Sequence, residues 1–245
     1  MCFTVANKKE IRILQERYNN KKLDKVRLDK RLAANYISGF AYPVMAIIKS
    51  EQPDTISFAN WGLVPGFIKN EEKARDYASY TLNAKAETIH EKISFKKVIE
   101  NKRCLIPVTG FFEWRDVNKN KYPYFIHLKD EEVFSLGGVY DEWINEGTGE
   151  INTTFSIITT EANPLMAKIH NIKKRMPLIF TRREEEHWIE SALDKAKIDV
   201  LMKPLDESLM VAHTIKKINT KTIDVFSDEL LKEVEYPELD LLDEI

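Results

Sequence analysis

A cysteine stands second in the chain, in Met1-Cys2-Phe3. Removal of Met1, which the small side chain of Cys2 permits, would leave a residue with an α-amine and a thiol on adjacent carbons. The amine has an ordinary pKa of about 7.7–8.0 and the thiol of about 8.5, so near neutrality a useful fraction of each is nucleophilic. An aldehyde meeting such a pair is captured twice: the amine adds to give an imine, and the thiol then closes a five-membered thiazolidine. Position alone fits a small buried hydrophobe as well. Asn83, in Leu82-Asn83-Ala84-Lys85-Ala86-Glu87-Thr88, stands at an expected helix start, where its amide caps the helix or meets a ligand. Glu113 lies between Phe112 and Trp114, so on an alternating strand it points away from both aromatics. Partial burial would raise its pKa and suit it to moving protons, whereas a nearby ammonium would lower it. His170, shortly before Arg175-Met176-Pro177, reads equally as a packed or an exposed imidazole.

The chain that must position these groups has 245 residues, 43% of them hydrophobic, which suits one large domain or two small ones and can bury a sizeable core. No apolar run approaches the length of a membrane span. The charged run Lys8-Lys9-Glu10-Ile11-Arg12 arrives too early for a signal peptide, so the expected location is cytoplasmic. Two cysteines make no disulfide framework, and five histidines lack zinc-ligand spacing, so neither a metal nor another cofactor is expected. The net charge of −2 conceals a division. Thr222 to Ile245 holds nine acidic residues against one lysine, a charge of −8 that leaves the body at +6. Within the body, Pro164 to Arg183 carries Lys168, Lys173, Lys174, Arg175, Arg182 and Arg183 with no carboxylate, which reads as a solvated charged face or a cationic surface.

The pattern predicts a short helix within Asn7 to Asn19, a basic connection from Lys21 to Arg31, and a hairpin of Pro43 to Lys49 with Thr55 to Trp61. An ordered loop, Trp61-Gly62-Leu63-Val64-Pro65-Gly66-Phe67, follows. Helices are expected at Ala84 to Glu91 and Ile93 to Ile99. Five β-prone runs come next: Arg103 to Pro107, Gly110 to Arg115, Pro123 to Leu128, Val133 to Tyr140 and Thr154 to Thr160. They imply a curved or closed mixed sheet. Asn163 before Pro164 predicts a capped helix, and Thr181 with Glu184 a capping box before Glu185 to Leu193. One domain over residues 2–221 with an acidic tail over 222–245 is the simplest organisation.

Taken in order, Cys2, Trp61-Gly62-Leu63-Val64-Pro65, Asn83 to Thr88, Arg103-Cys104-Leu105-Ile106-Pro107 leading to Gly110-Phe111-Phe112-Glu113-Trp114, Thr159-Thr160-Glu161-Ala162-Asn163, and His170 before Arg175-Met176-Pro177 resemble the SOS response-associated peptidase (SRAP) family of abasic-site processing proteins. The resemblance spans residues 2 to about 215. It implies an α+β fold: a single SRAP domain with a curved, barrel-like mixed β-sheet flanked by short helices. It further implies a monomer, nucleoid-associated if the source is bacterial, that binds single-stranded DNA containing abasic sites and forms a thiazolidine crosslink through Cys2, with a weaker AP-lyase activity. Asn83 then matches a residue holding the sugar or phosphate, Glu113 the proton-moving carboxylate, and His170 the group that protonates the sugar oxygen. Trp61 and Phe67 would wedge against or stack on bases, and Lys85, Arg103, Thr160 and Arg175 would contact DNA. Phe3-Thr4 replaces the family's usual Gly-Arg, Lys85 replaces an arginine, and Asn171 to Lys174 separate the histidine from its Arg-Met-Pro. A Cys2-dependent thiol peptidase and a non-catalytic single-stranded nucleic-acid-binding module are the competing readings.

Overall fold

The computed structural model describes residues 2–19, 21–24 and 33–239; Met1, most of the expected basic connection and the last six residues lie outside the described residues. Five of its strands close into a ring. Val44–Lys49 pairs antiparallel with Thr55–Trp61, the hairpin its β-branched residues predict. Thr55–Trp61 pairs parallel with Ile151–Glu161, through Asn60 opposite Thr154. Ile151–Glu161 pairs antiparallel with Phe134–Ile144, this with Arg103–Val108, and this in turn with Val44–Lys49. The expected α+β class with a barrel-like mixed sheet is therefore the observed one.

Thr109 turns the chain from the barrel into a second, antiparallel sheet of five strands, in the order Met210–Thr214, Asn120–Leu128, Gly110–Val117, Thr4–Asn7 and Ala34–Ser38. Gly110 is required where the sheets meet, because a Cβ there would lie 2.3 Å from the Phe125 ring. A shared core joins Cys2, Val5 and Phe111 to Trp61, Phe155 and Ile157 of the barrel. Short helices cover the barrel's other side, where Trp188 packs among Ile48, Leu105 and Val139. Asn163 caps Pro164–Ile169 by accepting from the Met166 N–H, and the Thr181–Glu184 capping box opens Arg182–Trp188, three residues earlier than expected.

Two helix expectations fail. Asn83–Lys85 is a strand parallel to Ile157, Ile158 and Thr159, followed by a single turn of 3-10 helix at Ala86–Thr88. The vacant ladder positions of the barrel outweigh the local preference of Ala84 to Glu91 for helix. From Ile93 onward the only α-helix before Arg103 is the short Val98–Asn101. Conversely, Glu71–Tyr80 is helical, with Asn70 capping it, but it buries only Ala74, so its apolar periodicity is too weak to announce it. No helix among the described residues is long and apolar enough to cross a membrane.

The acidic C-terminal stretch lies against the antiparallel sheet as far as Leu239. Asn35 N–H donates to the Val225 carbonyl (2.8 Å), Val234 N–H to Thr214 (2.9 Å), and the Tyr122 hydroxyl to Glu238 (3.0 Å). Leu231 packs beside Ala6, Phe112 and Ile215, and Leu239 is buried. Deleting residues 222–245 is therefore expected to lower stability by about 2 kcal/mol or more, since fully burying one leucine such as Leu239 is worth about 1.5–3 kcal/mol. Urea titration of the full-length and truncated chains measures this, and equal midpoints would show the strap to be energetically idle.

Candidate active site

Cys2 precedes the Thr4–Asn7 strand, which lies beside the central Gly110–Val117 strand and aligns Val5 with its Phe111. Alternation puts Glu113 on the Phe111 face, toward Cys2, while Phe112 packs with Trp114 on the other. Asn83 reaches Cys2 from the barrel side, donating Nδ2–H to the Cys2 carbonyl at 2.9 Å. Its Oδ1 is buried without a hydrogen-bond partner among the described residues. His170 ends the Pro164–Ile169 helix, which packs on the Glu113 strand, and its Nδ1 lies 3.8 Å from Glu113 Oε1. The four residues named from sequence thus meet at one place, from four separate segments.

Their environments push their proton affinities apart. Glu113 is 4% exposed, and burial raises its pKa to about 7 against the partial opposition of the Trp114 N–H and Lys173. Burial, reinforced by the charge of Glu113, drives the Cys2 thiol far above its ordinary value. Burial lowers the pKa of His170, as do the charges of Lys173 and Arg175. The Arg175 carbonyl, 2.9 Å from His170 Nδ1, can only accept, so the ring proton sits on Nδ1 and Nε2 presents a lone pair. At neutral pH this arrangement holds a carboxyl that can give or take a proton, beside a neutral imidazole suited to acting as a base. A neutral imidazole is a poor source of the proton expected of His170.

The expected DNA contacts divide. Phe67 and Lys85 are exposed. Trp61 is not a wedge: it is fully buried, stacked on Phe155, and its Nε1–H donates to the Leu82 carbonyl beside Asn83. Arg103 is not a phosphate contact, because its guanidinium is buried and spent on the carbonyls of Trp188, Ile99, Glu100 and Glu190. Thr160 is buried, its hydroxyl donating to the Glu161 carbonyl. Arg175 is largely engaged by Glu87 (2.7 Å) and Thr159, holding its strand in place.

Two residues escaped the sequence reading. Lys173 bears on both Glu113 and His170; its only signal was the carboxylate-free basic run. Asn171 clasps the Glu113 strand, accepting from the Asp116 N–H at 3.0 Å and donating to the Asp116 carbonyl at 2.7 Å. An asparagine inside a loop gives no sequence signal for such a clasp.

Removing the Arg103 fork, in Arg103→Met, leaves four carbonyls short of a donor and is expected to destabilise the fold by about 3 kcal/mol or more. In the DNA binding that the resemblance implies, the salt dependence of Arg103→Met should stay that of the wild type, whereas Lys85→Ala should lower its slope by about 1. Thermal melts and binding isotherms at several salt concentrations separate the two effects, and an unchanged slope in Lys85→Ala would remove it from the interface.

The family model described as SOS response associated peptidase (SRAP) matches residues 1–221. The abasic site processing protein YoqW of Bacillus subtilis (strain 168) is 34% identical over 177 residues, 71% of this chain and 75% of that protein. The abasic site processing protein HMCES of Gallus gallus is 31% identical over 152 residues, 54% of this chain and 44% of that protein. A crystal structure of a protein from Bacteroides thetaiotaomicron, 39% identical, superposes with a TM-score of 0.90 over 96% of this chain and 100% of that one.

Proposed function

The chain belongs to the SOS response associated peptidase (SRAP) family, and on that premise we propose that it captures abasic sites in single-stranded DNA by forming a thiazolidine through Cys2. The observation that carries the reading is the convergence of Cys2, Asn83, Glu113 and His170, with Glu113 poised near neutrality. Once Met1 is removed, the α-amine of Cys2 attacks C1 of the ring-opened deoxyribose. The carbinolamine loses water to give the imine, with Glu113 supplying the proton for the departing hydroxyl. The Cys2 sulfur then adds to the imine carbon, its proton passing to the ring nitrogen through Glu113 or His170, and one water is the only product released. Asn83 fixes the Cys2 carbonyl and so the direction of the amine. The raised thiol pKa favours this order, amine first, over a thiolate peptidase. The same imine acidifies the neighbouring sugar C2 proton, so His170, through Nε2, is the base for a side reaction of strand cleavage by β-elimination.

The proposed functional domain is residues 2–221, acting as a monomer, with 222–245 an acidic segment of the same chain. A denaturing gel of the protein with an abasic single-stranded oligonucleotide tests the reading. A covalent band that Cys2→Ala lacks is expected. Retention on a native gel alone would leave only a binding module, and Cys2-dependent cleavage of a peptide without any band would turn the assignment to a peptidase.

A further inference from the structure

Phe40 is 63% exposed in the 3-10 turn Gly39–Ala41, which joins the Ala34–Ser38 strand to the barrel. An exposed phenylalanine ordinarily swings freely, yet this one packs on a second ring and stands on a turn whose backbone is pinned at Gly39. Its ring packs on Phe3, centroids 5.0 Å apart and planes 32° from parallel. Gly39 N–H donates to the Phe3 carbonyl at 2.9 Å, tying the turn to the residue bonded to Cys2. Beneath the turn lies the Trp61 indole, so close that a Cβ on Gly39 would stand 3.1 Å from its ring. The turn closes with Tyr42 in the left-handed conformation (φ 49°), its carbonyl accepting from Asn60 Nδ2 at 3.1 Å. Tyr42 is itself 38% exposed.

This construction rests an apolar face in water, fixed in position, one residue from the proposed nucleophile. Aromatic side chains that meet single-stranded nucleic acid do so by stacking, because every base has a π-face. An abasic nucleotide has no base of its own, so the strand around it lacks one stacking partner, and a fixed ring beside the captured sugar can replace it. Resting on the function proposed above, we propose that Phe40, backed by Phe3, is the platform on which a base flanking the abasic position stacks. Buried Trp61 serves as the floor that holds the platform at its height. Where the resemblance leads one to expect Gly-Arg after the cysteine, with a cation for phosphate, this chain places a ring at Phe3 and buries Thr4.

The test uses single-stranded oligonucleotides carrying tetrahydrofuran, an abasic analogue that cannot form an imine, with 2-aminopurine on its 5′ or its 3′ side. Binding to the wild type is expected to quench 2-aminopurine on one side more than on the other. Phe40→Ala should lose the quenching on that side and bind about tenfold more weakly, while Phe40→Trp keeps both. Gly39→Ala, which pushes the turn off Trp61, should also weaken the quenching. Equal quenching by the wild type and Phe40→Ala, or none by the wild type, would overturn the platform. A true abasic oligonucleotide run in parallel keeps the two proposals apart. Quenching without any covalent band would retain the platform and remove the crosslinking chemistry; a band with unaltered quenching in Phe40→Ala would do the reverse.

Discussion

Crosslinking to abasic single-stranded DNA is expected to fall by more than about a hundredfold when the α-amine of Cys2 is blocked, by retained Met1 or by an uncleavable N-terminal extension. An amide nitrogen has no basic lone pair and cannot open the sequence that ends in the thiazolidine. Cys2→Ser divides the two bonds. Its amine still makes the imine, but the hydroxyl closes the ring poorly, so little heat-stable band should form. Borohydride added during the reaction should trap a covalent band of the wild-type stoichiometry, and strand cleavage should rise because the imine survives longer. Neither trapping nor cleavage, with abasic DNA still bound, would exclude imine formation and leave the thiol to act alone. Full crosslinking by the blocked chain would exclude the N-terminal mechanism altogether.

Glu113→Gln is expected to slow crosslinking by about 10²- to 10⁴-fold, the usual worth of a positioned acid–base group. The wild-type rate should climb with pH through about 7 as Glu113 ionises and accepts the proton of the attacking amine, the proton it then returns to the departing hydroxyl; the variant's rate should lack that inflection. Stability provides a second readout with the opposite sign. The folded pKa lies above that of the unfolded chain, so the contribution of Glu113 is greatest at low pH. It is lost as pH rises from the ordinary carboxylate value to about 7, a window in which the unfolded chain ionises and the folded chain keeps its proton. Melts of the variant should not show that decline. A variant with the wild-type pH profile and rate would remove Glu113 from the chemistry.

The five barrel strands and their neighbours Gly110–Val117 and Asn120–Leu128 were legible because their β-branched or aromatic runs are bounded by turn residues, whereas the short Thr4–Asn7, Ala34–Ser38 and Met210–Thr214 strands were not read. The ring was less legible, since the parallel pairing of Asn60 with Thr154 joins segments far apart in sequence. Asn83 was named for the right place and given the wrong backbone: its segment favours helix locally, and only the open edge of Ile151–Glu161 makes it a strand. The misread DNA contacts share a physical cause. Arginine and tryptophan carry both a polar end and a large apolar body, so their identity does not reveal whether the polar end meets phosphate or a buried carbonyl. Arg103 and Trp61 both chose carbonyls. Phe40 was invisible for the converse reason, because nothing in a lone phenylalanine states that it is left outside and held there.

The place of Cys2 in the fold also sets a clock on its maturation. Cys2 is wholly enclosed, yet the strand that follows it finds its partner Phe111 about a hundred residues later, and His170 later still. At a synthesis rate of about 5–20 residues per second, the beginning of the chain waits roughly 5–20 s before the strand that covers it exists. During that interval the Cys2 side chain is uncovered, and closure of the sheet then encloses it. Any processing that must reach Cys2 with least hindrance therefore belongs to the nascent chain rather than to the folded one.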